Sequence, residues 1–190
     1  MPKFSIVTPV HLWSTDRVDR FLDTVKSVRN QRFKDFEWIV VDDGSKIDFL
    51  WSQIEDVARV IHKDHGERII GWNAGFKEAK GEWFCILDGD DEYHPMYLEY
   101  LNKRIKNYPT YLMHNFGAKY IHKDGNKTNR EAFKPAEREV GHEMFGGGNV
   151  VDGTFIFHRS VYEDLGAFPD SVIHDVDCTE INYPAFRGQE

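Results

Sequence analysis

A short apolar run that ends in a cluster of acids constrains the fold of this chain more than any other feature. Residues 83–87 are apolar throughout, and residues 88–91 read Asp-Gly-Asp-Asp. An apolar run of this length is typical of a strand that is buried on both faces of a parallel sheet. Ligand-binding groups in such sheets lie at the carboxyl ends of the strands, so Asp88 and Asp90 are expected at that edge.

Three carboxylates this close together repel one another, and a bound divalent cation relieves the repulsion. Carboxylate oxygens are suitable ligands for Mg²⁺ or Mn²⁺. The alternative is an ordinary polar turn, because Asp-Gly is a common pair in turns. The third acid, Asp91, has no structural use in such a turn, which favours the interpretation as a cation site.

Strands and helices alternate along the first half of the chain. Strands are predicted at residues 4–8, 37–41, 59–62 and 83–87, the first ended by Pro9. The first of the helices between them is predicted to begin at a cap formed by Ser14, Thr15 or Asp16. The other two are predicted to cover residues 49–58 and 69–79. This order predicts an α/β fold with a mostly parallel, Rossmann-like central sheet flanked by helices. The acidic pair Asp42 and Asp43, which follows the second strand, should then lie at the same edge as Asp88 and Asp90.

The pattern changes after residue 92. Pro95 is placed to begin a helix with an apolar face, and short strands are predicted at residues 111–114, 118–122 and 154–157. Residues 126–143 are polar and weakly patterned, which predicts a loop. A short helix is predicted from a cap at Ser160 to Leu165. With no internal repeat and no low-complexity linker, the sequence predicts one domain over residues 1–190, with a first half of about 1–92 and a smaller second half of about 93–190.

Composition excludes several classes of protein. The formal charge is −8 at pH 7, from 32 acids and 24 Lys plus Arg, which disfavours nucleic-acid binding. Cys85 lies in a predicted buried strand, Cys178 is distant in sequence, and no zinc-binding spacing is present. The chain begins without the apolar region of a signal peptide, and no apolar run reaches the ~18 residues of a membrane span. We expect a cytoplasmic protein, with contact at the inner face of the membrane left open.

Four segments in order resemble the family 2 glycosyltransferases, which have the GT-A fold. Residues 5–9 (Ser-Ile-Val-Thr-Pro) resemble the family's first strand. Residues 27–45, which end in Val-Asp-Asp-Gly-Ser, resemble its first helix, second strand and acidic turn. Residues 73–83 resemble the helix that leads into the metal-binding strand, and residues 87–91 resemble the DxD signature. A single DxD is a weak signal, whereas all four segments at family-like spacing over residues 3 to about 180 are a strong one.

The resemblance implies a nucleotide-sugar donor, with a UDP-sugar as the default, bound by the first half of the chain. Asp43, next to Asp42, would hydrogen-bond the edge of the base. Thr8 and Pro9 would form part of the pocket for the base and the ribose.

The DxD segment would bind the rest of the donor. Asp88 would reach the ribose and contribute to the metal site, Gly89 would lie against the donor, and Asp90 would bind Mn²⁺ or Mg²⁺ between the two phosphates. Arg68 is a plausible contact of the phosphates or the base. The family often has Arg directly before the Asn of the following helix, and here that position is Trp72.

The resemblance also implies inversion at the sugar by one carboxylate that acts as general base. Residues 165–170 resemble the segment that precedes this base, which puts Asp175 at its position, with His174 in place of the usual Glu. Asp177 is the second candidate. The alternative is that these acids cap a helix that begins near Val176.

The acceptor would be a saccharide or a lipid-linked acceptor in polysaccharide or glycoconjugate synthesis. Many family members continue beyond the point where this sequence stops, so a homo-oligomer or a partner protein could complete the acceptor site. Two other functions stay open: a non-catalytic domain that binds nucleotide sugars, and a sugar nucleotidyltransferase. The latter usually has a glycine-rich loop after its first strand, where this chain has residues 9–12 (Pro-Val-His-Leu). A dehalogenase-type phosphotransferase is less compatible, because its acidic motif usually follows the first strand.

Overall fold

The computed structural model describes residues 1–66, 68–115, 119–121, 127–131 and 155–168. The chain forms two compact units, one of Met1–Phe116 with Asp152–Asp170 and the other of Gly117–Val151 with Ser171–Glu190. The first unit contains the larger sheet and all the helices described below.

The central sheet of the first unit has six strands. They are β1 (Phe4–Val10), β2 (Phe36–Asp43), β3 (Arg59–Lys63), β4 (Trp83–Ile86), β5 (Met113–Asn115) and, after two strands of the second unit, β8 (Phe155–His158). Their order across the sheet is β3-β2-β1-β4-β8-β5. Strands β1 to β4 are mutually parallel, whereas β8 runs antiparallel to both of its neighbours. The mostly parallel α/β sheet expected from the sequence is confirmed.

Four helices accompany this sheet: α1 (Thr15–Arg29), α2 (Arg68–Glu78), α3 (Tyr97–Asn107) and α4 (Arg159–Leu165). The side chain of Ser14 caps α1 by accepting a hydrogen bond from the backbone N–H of Arg17. Helices α1 and α3 cover one face of the sheet, and α2 covers the other.

The alternation of side chains along the strands explains why the strand sequences are apolar almost throughout. Ile6 of β1 packs on the α1 face, whereas its neighbour Val7 packs on the α2 face. The same alternation separates Cys85 from Phe84 and Ile86 in β4. Since both faces are covered, each strand needs apolar residues at consecutive positions. Complete burial of one such side chain is worth roughly 1.5–3 kcal/mol.

Pro9 does not end β1, which continues to Val10. The carbonyl of Val7 accepts a hydrogen bond from the N–H of Leu87, so the backbone polar groups of Val7 point towards β4. The backbone of Pro9 points towards β4 as well, because Pro9 is two residues further along the strand. Pairing with β4 has ended by then, at Val7 and Ile86. The missing N–H of Pro9 therefore removes no hydrogen bond, and pairing with β2 continues to Val10, which lies opposite Asp42.

Three other local expectations differ from the structure. Only residues Trp51–Ile54 of the helix predicted at 49–58 are helical, as a single 3₁₀ turn. His158 caps α4 in place of Ser160, because its side chain accepts from the Ser160 N–H. Residues Lys127–Glu131, predicted as loop, form strand β7.

The described part of the second unit is one antiparallel pair, β6 (Lys119–Ile121) with β7. Within the described segments, no helix combines the length and the apolar character that a bilayer crossing requires.

Candidate functional site

A cleft of about 760 Å³ opens at the carboxyl ends of β1, β2 and β4. It is lined by residues 9–13, which include the end of β1, by residues 88–90 after β4, and by Arg17, Asp43, His65 and Arg68. The structure therefore brings together both acidic segments that the sequence indicates, together with Pro9, Arg68 and Gly89. This is the edge at which a parallel sheet presents its ligand-binding groups.

Asp43, the last residue of β2, is the most buried acid of the cleft, with 6% of its surface exposed. Its carboxylate forms an ion pair with Lys63, accepts from the Gly66 N–H at 3.1 Å and lies 2.7 Å from Nδ1 of His65. Burial raises the pKa of this carboxyl, but the hydrogen bonds from Lys63, Gly66 and His65 together outweigh burial and hold it below its usual value of 3.8. Asp43 is thus an ionised hydrogen-bond acceptor at neutral pH.

Asp42 lies beside the cleft and not in its wall. Its carboxylate accepts from the Ser45 N–H at 3.0 Å and lies 2.8 Å from Nδ1 of His62. The turn it holds contains Gly44 at φ +65°, where a Cβ would lie 2.8 Å from the backbone nitrogen of His65. Asp42 and Gly44 therefore fix the path of the chain that positions Asp43 and His65.

Thr8 lies below the cleft floor. It is fully buried, and its hydroxyl accepts a hydrogen bond of 2.9 Å from Nε1 of Trp38. The next residue, Pro9, lines the cleft. Of the two residues of β1 indicated by the sequence, only Pro9 contacts the open space.

The acids after β4 form a tight turn in which the N–H of Asp91 donates to the carbonyl of Asp88 at 3.1 Å. A Cβ at Gly89 would lie 3.0 Å from Val10, so a small residue lets this turn lie close to β1. Asp91 is exposed to solvent on one side. Its pKa is nevertheless raised to about 6, mainly by partial desolvation and to a smaller extent by the charges of Asp88 and Asp90. The charges of Asp88 and Asp90 are the smaller cause of this raised pKa, and a cation held by these two acids would relieve that part of it.

Two arginines neutralise the acids of this turn. Arg17 Nη1 donates to Asp90 Oδ2 at 2.9 Å, and Arg68 Nη1 lies 3.4 Å from Asp88 Oδ2. Both side chains of the Arg17–Asp90 pair are 37% exposed, so this pair contributes at most about 1 kcal/mol to stability. A weak pair of this kind can be exchanged for another partner.

Two histidines that the sequence did not single out complete the wall around Asp43. The rings of His11 and His65 are stacked, with centroids 4.0 Å apart and an interplanar angle of 23°. Nδ1 of His11 lies 2.8 Å from the carbonyl oxygen of Asp43. Each histidine belongs to a segment that follows a strand of the sheet, β1 for His11 and β3 for His65, which is the one sequence signal that could have indicated them.

His11, Asp43 and His65 also offer one possible metal-ligand atom each, all within 4.8 Å of one another. Two features make this cluster a poor cation site. First, the Asp43 carboxylate already forms an ion pair with Lys63, whose positive charge would repel a cation. Second, the nitrogen lone pairs of His11 and His65 lie in the planes of two nearly parallel rings and therefore do not point at one common ion. The oxygen ligands of Asp88 and Asp90 suit Mg²⁺ or Mn²⁺ better.

The two candidates for the general base, Asp175 and Asp177, lie outside the described residues. Of the described acids, Asp43, Asp88 and Asp90 line the cleft.

The family model described as "Glycosyl transferase family 2" matches residues 5–166 of the chain. Among curated proteins, the GalNAc(5)-diNAcBac-PP-undecaprenol beta-1,3-glucosyltransferase of Campylobacter jejuni is 31% identical over 146 residues, which cover 73% of this chain and 45% of that protein. The chain spans less than two thirds of the length of the curated relatives it matches.

Two solved structures share the fold. S. aureus TarS 1-349 superposes with a TM-score of 0.65 at 20% identity, over 89% of this chain and 51% of that one. TarS has also been crystallised with UDP-GlcNAc. The mannosyltransferase PcManGT from Pyrobaculum calidifontis, in complex with GDP-Man and Mn²⁺, gives a TM-score of 0.63 at 16% identity, over 90% of this chain and 48% of that one. At these identities the likeness establishes the fold alone.

Proposed function

Because the chain belongs to glycosyl transferase family 2 and has the GT-A fold of that family, we propose that it transfers a sugar from a nucleotide-sugar donor to a hydroxyl group of an acceptor, with inversion. The observation that carries this proposal is one cleft with Asp43 on one wall and the acidic turn after β4 on another. One wall suits a base and the other suits a diphosphate with its cation. A UDP-sugar is the default donor.

Asp43 would recognise the base. Its carboxylate is ionised at neutral pH and can accept a hydrogen bond from a ring N–H of the base. The aromatic faces of His11 and His65 and the ring of Pro9 offer apolar surface to a planar base. Thr8 would act from beneath by holding Trp38, and Asp42 would act by holding the turn that positions Asp43.

Asp90 and Asp88 would hold Mn²⁺ or Mg²⁺ at the donor diphosphate, with Gly89 lying against the donor. Their carboxylates fit a hard cation because both line the cleft in one short turn and each already pairs with a cationic side chain. When bound, the cation supplies Lewis-acid stabilisation of the charge on the leaving diphosphate. Arg68 would contact the phosphates from the first turn of α2. The complex of PcManGT with GDP-Man and Mn²⁺ supports a nucleotide-sugar donor bound with a cation, and the complex of TarS with UDP-GlcNAc supports the donor class.

Asp175 would act as general base, with Asp177 as the second candidate. It would accept the proton of the acceptor hydroxyl while the hydroxyl oxygen attacks the anomeric carbon from the face opposite the diphosphate. The bond from that carbon to the diphosphate oxygen breaks, and the nucleoside diphosphate leaves with the electron pair. Attack from the opposite face inverts the configuration at the sugar.

The acceptor would be a saccharide or a lipid-linked saccharide in polysaccharide or glycoconjugate synthesis. The printed name of the Campylobacter jejuni relative describes a lipid-linked acceptor, which supports this class. Such an acceptor would bring the chain to the inner face of the membrane. A second copy of the chain or a partner protein could contribute to the acceptor site.

A donor screen tests the proposal. Thermal denaturation with UDP- and GDP-sugars, with Mn²⁺ or with EDTA, should show stabilisation that depends on both the nucleotide and the metal, because a ligand that binds only the folded state raises the free energy of unfolding by about 2.7 kcal/mol at 100 times its Kd. Nucleoside diphosphate release should follow when an acceptor is added. If a donor stabilises the protein but no nucleoside diphosphate is released with any acceptor, a non-catalytic binding domain is favoured. If no donor stabilises the protein, donor binding is refuted.

A further inference from the structure

We propose that Arg17 is a diphosphate-binding residue that exchanges partners: it pairs with Asp90 when the cleft holds no donor, and with the donor phosphates when the cleft is loaded. This inference rests on the proposed function and deepens it, because it assigns a role to a residue outside the four segments that indicated the family. Its basis is the position of one guanidinium group between an aromatic ring and an acid of the cleft.

The helix cap fixes the backbone of Arg17, and an aromatic ring supports its guanidinium group. Arg17 lies in the first turn of α1, where its backbone N–H donates to the capping hydroxyl of Ser14 at 3.4 Å. Its guanidinium carbon lies 4.3 Å from the centre of the Trp13 ring, and Trp13 also lines the cleft. A guanidinium stacked on an aromatic ring keeps its N–H groups, which lie in its own plane, available for another partner.

Charge makes exchange the expected outcome of loading. Nη1 of Arg17 now donates to Asp90 Oδ2 at 2.9 Å, in a pair whose two side chains are both 37% exposed. A divalent cation on Asp90 would compete for the same carboxylate and repel the guanidinium. The phosphates bring new negative charge into the same cleft, and guanidinium binds phosphate through two parallel hydrogen bonds.

The geometry also separates Arg17 from Arg68. Arg68 lies in the first turn of α2, stacks at 4.9 Å on Trp72 and lies 3.4 Å from Asp88. Arg17 belongs to α1, which packs on the opposite face of the sheet, and it neutralises the other acid of the pair. The two arginines thus approach the acidic turn from different helices, so that the diphosphate would be held from both.

Calorimetric binding of a nucleoside diphosphate and of its nucleoside tests the inference. The probe is UDP or GDP, whichever wild type binds more tightly, with uridine or guanosine as its partner, in EDTA and in Mn²⁺. Arg17→Gln should weaken diphosphate binding in EDTA by about tenfold or more and leave nucleoside binding unchanged. Arg17→Lys should recover part of the loss, because it keeps the charge but not the paired N–H groups. Without nucleotide, Arg17→Gln should bind Mn²⁺ more tightly, because Asp90 loses its competing cation.

Arg20→Gln is the matched control. Arg20 lies one turn further along α1, pairs with Asp16 at 3.0 Å and does not line the cleft, so this variant should behave as wild type in every titration. Unchanged diphosphate affinity in Arg17→Gln, or an equal loss for diphosphate and nucleoside, would overturn the inference. Failure of wild type to bind either diphosphate under any condition would instead refute the proposed function. Thermal denaturation of each variant verifies that it is folded.

Discussion

Gly75 of α2 lies directly against Val7 of β1, so closely that a Cβ on Gly75 would be 2.3 Å from the Val7 Cγ1 atom. Gly71, one turn earlier, makes the same kind of approach to Pro9, at 2.8 Å from its Cβ. The helix can therefore lie low on the sheet, and its first turn brings Arg68 to the cleft. The sequence Asn73-Ala74-Gly75, which resembles a family motif, thus has a packing role.

The added methyl group of Gly75→Ala must displace Val7 from a packed core, which costs about 1–3 kcal/mol. The gain of about 1 kcal/mol in helix propensity offsets part of this cost, so the net destabilisation should be up to about 2 kcal/mol. Chemical denaturation measures the change, with Lys77→Ala on the exposed side of α2 as control. The double variant Val7→Ala with Gly75→Ala should be more stable than the sum of the two single effects predicts. Strict additivity would contradict the contact.

Asp90→Asn should abolish metal-dependent donor binding and retain weaker, metal-independent binding through Asp43. The reason is that an amide does not supply the negative charge that holds Mn²⁺ or Mg²⁺. Calorimetric titration with UDP measures the metal-dependent binding when Mn²⁺ is present and the metal-independent binding when it is absent. Glu92→Gln, an exposed acid two residues away that does not line the cleft, is the control. An Asp90→Asn protein that still gains affinity from Mn²⁺ would remove Asp90 from the metal site.

The ion pair of Asp43 with Lys63 should make stability depend on pH in acid. Its folded pKa lies below 3.8, so the stabilisation is fully present above about pH 4 and is lost as the pH falls through the lowered folded value. Asp43→Asn should cost roughly 1–3 kcal/mol at pH 7, since it removes a charged hydrogen-bond acceptor from Lys63. The free-energy gap between the two proteins should shrink as the pH falls below about 4 and Asp43 becomes protonated. A gap that is constant with pH would mean that the charge is unimportant, and Asp48→Asn at an exposed site controls for general charge effects.

Asp175→Asn should leave donor binding intact and lower turnover by ~10²-fold or more, because the acceptor hydroxyl would lose its general base. Donor binding by calorimetry and product formation by nucleotide release separate the two effects. Asp177→Asn serves as the comparison. If Asp177→Asn alone removes activity, the base is Asp177, and if neither variant changes turnover, the base lies elsewhere in the chain.

Much of the fold could be predicted because each parallel strand is apolar at consecutive positions and each acidic segment directly follows a strand. Asp43, Asp88 and Asp90 meet in one cleft for this reason alone. The helix predicted at residues 49–58 is wrong because its side chains do not share one buried face: Phe49 and Ile54 are buried, whereas Leu50 is 69% exposed. Strand β7 has the polar sequence Lys-Thr-Asn-Arg-Glu, which carries no apolar alternation to reveal it.

The remaining site residues could not be predicted because their positions depend on contacts between distant parts of the chain. Arg17 and Asp90 are 73 residues apart, and nothing near Arg17 indicates that its partner is an acid of the cleft. The sequence also does not reveal that the Thr8 hydroxyl faces Trp38 and not the open space. His11 and His65 show no metal-binding spacing, and only the fold brings their rings together.

The central claim is that the acids after β4 hold a divalent cation at the diphosphate of a nucleotide bound beside Asp43. Anomalous diffraction from a crystal soaked with UDP and Mn²⁺ tests it most directly. The account predicts one manganese peak within coordination distance of the Asp90 carboxylate and of the phosphates, with Arg17 turned away from Asp90 and the base against Asp43. A manganese peak between His11 and His65, or a nucleotide bound with no manganese at Asp90, would contradict it.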